Sequence, residues 1–214
     1  MRKVLLTTLF ALALSAPAVG FSGSVTKTGD LDGDSYEEAV YTTQVDLPDV
    51  DTAFDPTVIK VYDYCANTGD VVNERISGRQ DGVNFLKLRK IDTRRGREVF
   101  FDMRSGAAAR QGESRVVAWR KHSGATCRKA RDLFKYRSTH PTRRPSGTTG
   151  EVSGFSVKVG ERARRYRGKE VILSELFLRP GEPECCASVK KITYWRYSRK
   201  RDKYLRYKTI VKRR

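Results

Sequence analysis

Apolar residues recur at every second position in many short stretches of this chain and almost nowhere at helical spacing, the period of strands. Glu38 to Val45 carries Val40, Tyr41 and Val45 near alternate positions, and Val58 to Tyr64 alternates with both faces partly apolar. Val83 to Ile91 and Glu98 to Met103 flank the tight turn Arg94-Arg95-Gly96-Arg97 and predict a hairpin. Arg115 to Arg120 is a further strand, and Arg131 to Arg137 a strand or a short helix. Phe155 to Val159 and Glu170 to Leu178 follow, and a last hairpin pairs Val189 to Tyr197 with Lys203 to Val211 across Ser198 to Asp202.

Between these runs lie polar, glycine- and proline-bearing stretches: Leu47 to Thr57, Gly69 to Gly82, Ser105 to Glu113 and Arg179 to Pro183. Ser138 to Gly154 is the longest and reads as a flexible loop rather than a domain linker. No fixed-period repeat is evident, so a complete propeller is not expected. The fold expected is mainly β with little helix: a single antiparallel, strongly curved sheet, or a sandwich or partial barrel, built from hairpins.

The start of the chain changes the picture of where the fold begins. Arg2 and Lys3, the apolar run Val4 to Leu14 and small residues to Gly20 have the anatomy of a secretory signal over residues 1–20. That run is well short of the roughly 20 residues needed to span a bilayer, and no later stretch is long enough either. Residues 21–28 then read as a linker and 29–214 as one β-rich domain, secreted or periplasmic, without a membrane span.

Export makes disulfides the default for Cys65, Cys127, Cys185 and Cys186. Three pairings are open. One joins Cys65 to Cys127, slightly favoured, and leaves Cys185 and Cys186 as a vicinal disulfide or as thiols; the other two tie the middle of the chain to the vicinal pair.

The net charge is +18 and it is unevenly placed. Residues 21–64 hold ten acids against two bases, whereas residues 65–214 hold 39 bases against 15 acids. An acidic start can lie against a basic body, or that body can face polyanions.

Within the acidic start, Gly29 to Val40 packs acids at a two-residue spacing. A hard cation takes oxygen ligands from loop positions 1, 3, 5, 7 and 9 at about 2.4 Å. Asp30, Asp32 and Asp34 fill the first three, Tyr36 offers its carbonyl and Glu38 falls at the ninth, so calcium is the expected ion. Position 6, where glycine eases the turn, is Ser35. At the other end, Lys190, Lys191, Trp195, Arg196, Arg199, Lys200, Arg201, Lys203 and Arg206 combine cations with an aromatic, as nucleic-acid or anionic-glycan binders do. His122 and His140, each near cations, are the one pair suited to acid-base cleavage in a small hydrolase or ribonuclease. No nucleophile elbow, His-Glu-x-x-His pair or phosphate loop occurs.

Gly-Asp-Leu-Asp-Gly-Asp followed by Tyr-Glu-Glu-Ala-Val resembles the calcium loop of FG-GAP repeats, found in integrin-like propellers and in many exported bacterial proteins. Pro183-Glu184-Cys185-Cys186-Ala187-Ser188 is similar to the Cys-Cys-Pro-Ser segment of small actinobacterial lipoproteins and related secreted proteins of unknown function. Ala187 stands where those proteins have proline, and their lipidated cysteine is missing. Together the resemblances imply one compact, non-catalytic exported module stabilised by calcium.

Overall fold

The computed structural model describes residues 24–44, 57–65, 68–78, 82–92, 94–105, 111–121, 126–162, 169–183 and 185–213. They contain twelve strands and no helix. The expected signal at 1–20 lies outside them. Strand β1 (Ser24–Gly29), β2 (Glu38–Gln44), β3 (Thr57–Cys65) and β4 (Asp70–Arg75) form sheet A. Strands β5 (Gly82–Arg89), β6 (Glu98–Ser105), β7 (Gln111–Lys121) and β8 (Arg128–Arg137) form sheet B. Sheet C comprises β9 (Val152–Arg162), β10 (Lys169–Phe177), β11 (Val189–Ser198) and β12 (Lys203–Arg213).

Each sheet is an antiparallel meander of four consecutive strands. The all-β expectation therefore stands, but three sheets replace the single curved one. Two strands lie where none was expected. β1 occupies most of the segment read as linker 21–28, and β4 lies inside the polar stretch Gly69 to Gly82. Both are edge strands with one paired neighbour, and β4 leaves Val71 exposed while Val72 packs against the core.

Sheet B is the middle layer. Along β6, Val99, Phe101 and Met103 join Val40, Ile59 and Val61 of sheet A in one core, while Phe100 joins Val171 and Leu173 of sheet C in a second. β7 divides likewise, Val117 and Trp119 toward A, Val116 and Ala118 toward C. A strand covered on both faces has no need of alternation, which explains the unbroken Val-Phe-Phe run of β6. Each fully buried side chain of this size contributes about 1.5–3 kcal/mol, so the two seams dominate the fold's stability.

Polar ties follow the same seams. The Arg115 guanidinium donates to the Ile76 carbonyl and the Ala130 amide to Glu74, joining B to A. Arg104 stacks on the Phe155 ring at 3.5 Å and donates to the Phe155 carbonyl, joining B to C. Cys65 pairs with Cys127, which fastens the end of β3 to the start of β8, and Cys185 pairs with Cys186. Loop 138–151 is held at its ends by Gly112 and Leu178 and at its middle by Thr142, which donates to Glu175.

Candidate functional site

The turn between β1 and β2 is shaped by its own acids. Asp30 Oδ1 accepts from the Gly33 amide and Oδ2 from that of Ser35, Asp32 from Asp34, and Asp34 from Tyr36. Gly33 has φ +82° and Ser35 φ +78°, so the sharp bend expected at the sixth position falls on a residue with a side chain. The bend leans on the β5–β6 turn: a Cβ on Gly96 would lie 2.3 Å from the Leu31 carbonyl oxygen, and the Arg97 amide donates to the Asp30 carbonyl. Only glycine fits there.

One carboxylate oxygen each from Asp30, Asp32 and Glu38 converges within 4.8 Å. Asp34 is not part of this cluster, and the Tyr36 side chain is exposed. Three of the five expected ligands are thus brought together through their carboxylates. Glu38 is 2% exposed and accepts from the Leu31 amide. Burial, then the carboxylates of Asp32, Asp63 and Asp34, push its carboxyl up to about 8. Burial also lifts Asp32 to about 6 against the pull of Arg128, its salt-bridge partner. Asp63, 5% exposed, adds a fourth acid and accepts from the Trp119 indole at 2.6 Å. Oxygen donors crowded at low dielectric suit a hard cation such as calcium. A cavity of about 300 Å³ walled by Asp32, Asp34, Asp63 and the Cys65–Cys127 bond opens beside them.

Sheet B carries a counterpart of this turn. Glu98 opens β6 as Glu38 opens β2, and its Oε2 likewise accepts from the amide seven residues back, that of Ile91. Asp92 follows Ile91 as Asp32 follows Leu31. Here, however, Asp30 and Asp34 are replaced by Lys90 and Arg94, and the Arg120 guanidinium bridges Asp92 and Glu98. The sequence holds a third trace: Arg-Gly-Arg-Glu-Val-Phe-Phe at 95–101 matches Arg-Gly-Lys-Glu-Val-Ile-Leu at 167–173. The repeat escapes a fixed-period search because its spacing is unequal.

The basic residues separate into two groups. Lys191 is 2% exposed and paired at 2.7 Å with Glu175, so it is a core residue, not part of a binding face. Glu175 also accepts from Tyr136 and Thr142, and these partners make burial of the pair tolerable. Trp195 is half-buried and packs edge-on against Phe134 at 5.5 Å in the B–C seam. Lys190 and Arg196 lie on the opposite, half-exposed face of β11, where Lys208 sits 5.3 Å over the Tyr194 ring. Arg199, Lys200, Arg201, Lys203 and Arg206 are exposed, the first three at the β11–β12 turn. His140 is exposed and contacts Thr139, and His122 lies outside the described residues. Compared with family models, characterised proteins and solved structures, the chain finds no match.

Proposed function

We propose that this chain is an exported, non-catalytic β-module whose first turn closes round a calcium ion and which serves a binding role in the envelope or outside the cell. The convergence of oxygens from Asp30, Asp32 and Glu38 within 4.8 Å carries the reading. Asp30, Asp32 and Glu38 would hold the ion, with Asp34 and the Tyr36 carbonyl completing the set in the closed loop. The ion supplies positive charge only. The chain's part is to present buried carboxylates whose mutual repulsion it relieves.

Sheet B supports the assignment from within the molecule: where the equivalent acids are Asp92 and Glu98, a guanidinium neutralises them. Thermal unfolding of the metal-free chain, with millimolar calcium or with chelator, tests the proposal. A rise of a few degrees with calcium is expected from mass action at weak extracellular affinity, and an unchanged midpoint removes the metal.

A second reading, polyanion binding, is favoured by a separate observation. The outer face of sheet C keeps Lys190, Lys208 and Lys212 beside half-buried Tyr194. Retention on an anionic polymer at about 0.15 M salt supports it, and loss of binding at that salt reduces it to net charge.

A further inference from the structure

The turns β5–β6 and β11–β12 and the facing ends of β7 and β8 enclose a cleft of about 490 Å³. Its charge is lopsided and its acids are already occupied. Asp202, 6% exposed at φ +47°, accepts from the Tyr197 hydroxyl and pairs with Arg94 at 3.5 Å and Arg131 at 3.4 Å. Asp32, the other acid in the wall, pairs with Arg128. Arg95, Lys121, Lys200 and Arg201 also line the cleft, and none has an acidic partner among the described residues. Arg120, 8% exposed and spent on Asp92 and Glu98 through one nitrogen, lines the same wall with its Nε lacking any acceptor.

Asp202 thus fixes two arginines without cancelling the cleft's excess. Cations gathered in a concave, low-dielectric wall focus their field and raise the local concentration of anions. Guanidinium forks match the paired oxygens of a tetrahedral ester. Among the described lining residues the single ring, Trp119, is 2% exposed, so none of them offers an aromatic face to a base. That absence separates a sugar polymer from a nucleic acid.

We infer that this cleft, not the outer face of sheet C, is the primary site for a glycan bearing sulfate or phosphate groups. The inference rests on the polyanion reading above and moves it from the outer face of sheet C to the cleft, which holds Lys200 and Arg201 of the residues singled out in the sequence. Binding is measured at about 0.15 M salt with a heparin octasaccharide, a phosphorylated mannan fragment and a single-stranded oligodeoxynucleotide. The variant R95A/K200A/R201A is expected to lose about tenfold or more in glycan affinity with its thermal midpoint kept. K190A/K208A/K212A, on the outer face and lowering charge equally, is expected to lose no more than about twofold.

Equal loss in the two variants overturns the location while leaving the polyanion reading standing; no binding by the unaltered chain overturns both. Tighter binding of the oligodeoxynucleotide overturns the glycan. The stronger of the two glycans identifies the ester, sulfate or phosphate. Should the triple variant not fold, Lys121→Glu on the opposite wall makes the same test, and unchanged glycan affinity there overturns the location.

Discussion

The β1–β2 turn and the β5–β6 turn are two versions of one device that solve the same electrostatic problem differently. In both, a glutamate at the head of a strand reaches back to cap an amide, and an aspartate lies close by in a buried setting. In sheet B the third strand of the same sheet supplies Arg120, so the acids are neutralised from within. In sheet A the corresponding surroundings add Asp63, and the guanidinium that pairs with the turn among the described residues, that of Arg128, comes from the neighbouring sheet and engages Asp32. A buried turn that carries more acid than its own sheet answers is the setting the calcium proposal rests on: a mobile cation would complete it.

The comparison breaks most visibly at Arg120. Arg120→Met should cost about 3–5 kcal/mol, because Asp92 and Glu98 stay buried without their counter-charge, and chemical denaturation will read the loss. Adding Asp92→Asn and Glu98→Gln should restore much of it. A variant as stable as the parent would show that the guanidinium is not what balances this turn.

Acidity gives the next largest effect. Burial, then Asp92, pushes the Glu98 carboxyl up to about 8, with Arg120 facing it from β7 and Tyr204 from β12. The folded state holds this proton more tightly than the unfolded chain, whose glutamates titrate near 4.3. Stability from this group is therefore full below about pH 4.3 and falls as pH rises toward 8, at up to about 1.4 kcal/mol per unit. In chelator-treated protein, Glu98→Gln should flatten that fall in urea denaturation curves measured from pH 5 to 8. An unaltered slope would place the titration elsewhere.

Calcium sharpens the contrast from the other side. Asp30→Asn should abolish the stabilisation by calcium, about 1–2 kcal/mol at several millimolar ion, while leaving sheet B's response to Arg120→Met intact. Differential scanning calorimetry with and without the ion checks both. Arg128→Gln frees Asp32 and should tighten calcium binding several-fold in isothermal titration, whereas weaker binding would mean that the arginine supports the site rather than competing for it. The smallest expected effect is at the bend: Ser35→Gly relieves a positive φ and should stabilise the chain by about 0.5–1 kcal/mol, read as an upward shift in melting temperature.

Legibility in the sequence followed burial. Strands covered on one face, such as β10 with Val171, Leu173 and Phe177 inside, announce themselves by alternation. β1 and β4 do not: their apolar residues, Val25 in the one and the adjacent pair Val71 and Val72 in the other, are too few to show a period. The three-layer arrangement was hidden because a continuous apolar run such as Val99-Phe100-Phe101 says that both faces are covered without saying by what. At the candidate site, the acid spacing pointed to Asp30, Asp32, Asp34 and Glu38 with the Tyr36 carbonyl, and of these Asp30, Asp32 and Glu38 converge through their carboxylates. Asp63 was illegible because it is distant in sequence and delivered by β3, where it looked like one polar position of an alternating strand. Lys190 and Lys191 illustrate the limit most simply: adjacent and chemically identical, they differ only in which face of β11 they occupy, and the buried one is revealed only by Glu175 on the facing strand.

The meander order also has a kinetic side. Every ladder in the three sheets joins strands that are neighbours along the chain, so no strand waits for a partner made much later. Loop closure stays short within each sheet, the circumstance that favours rapid pairing. For a polypeptide passing through a narrow channel amino terminus first, each sheet is complete as soon as its fourth strand emerges and then serves as the template on which the next is laid. Among the described residues the covalent bond that crosses such a junction is Cys65–Cys127, so in a chain exported as proposed, oxidation would lock the first two layers together before the third had left the channel.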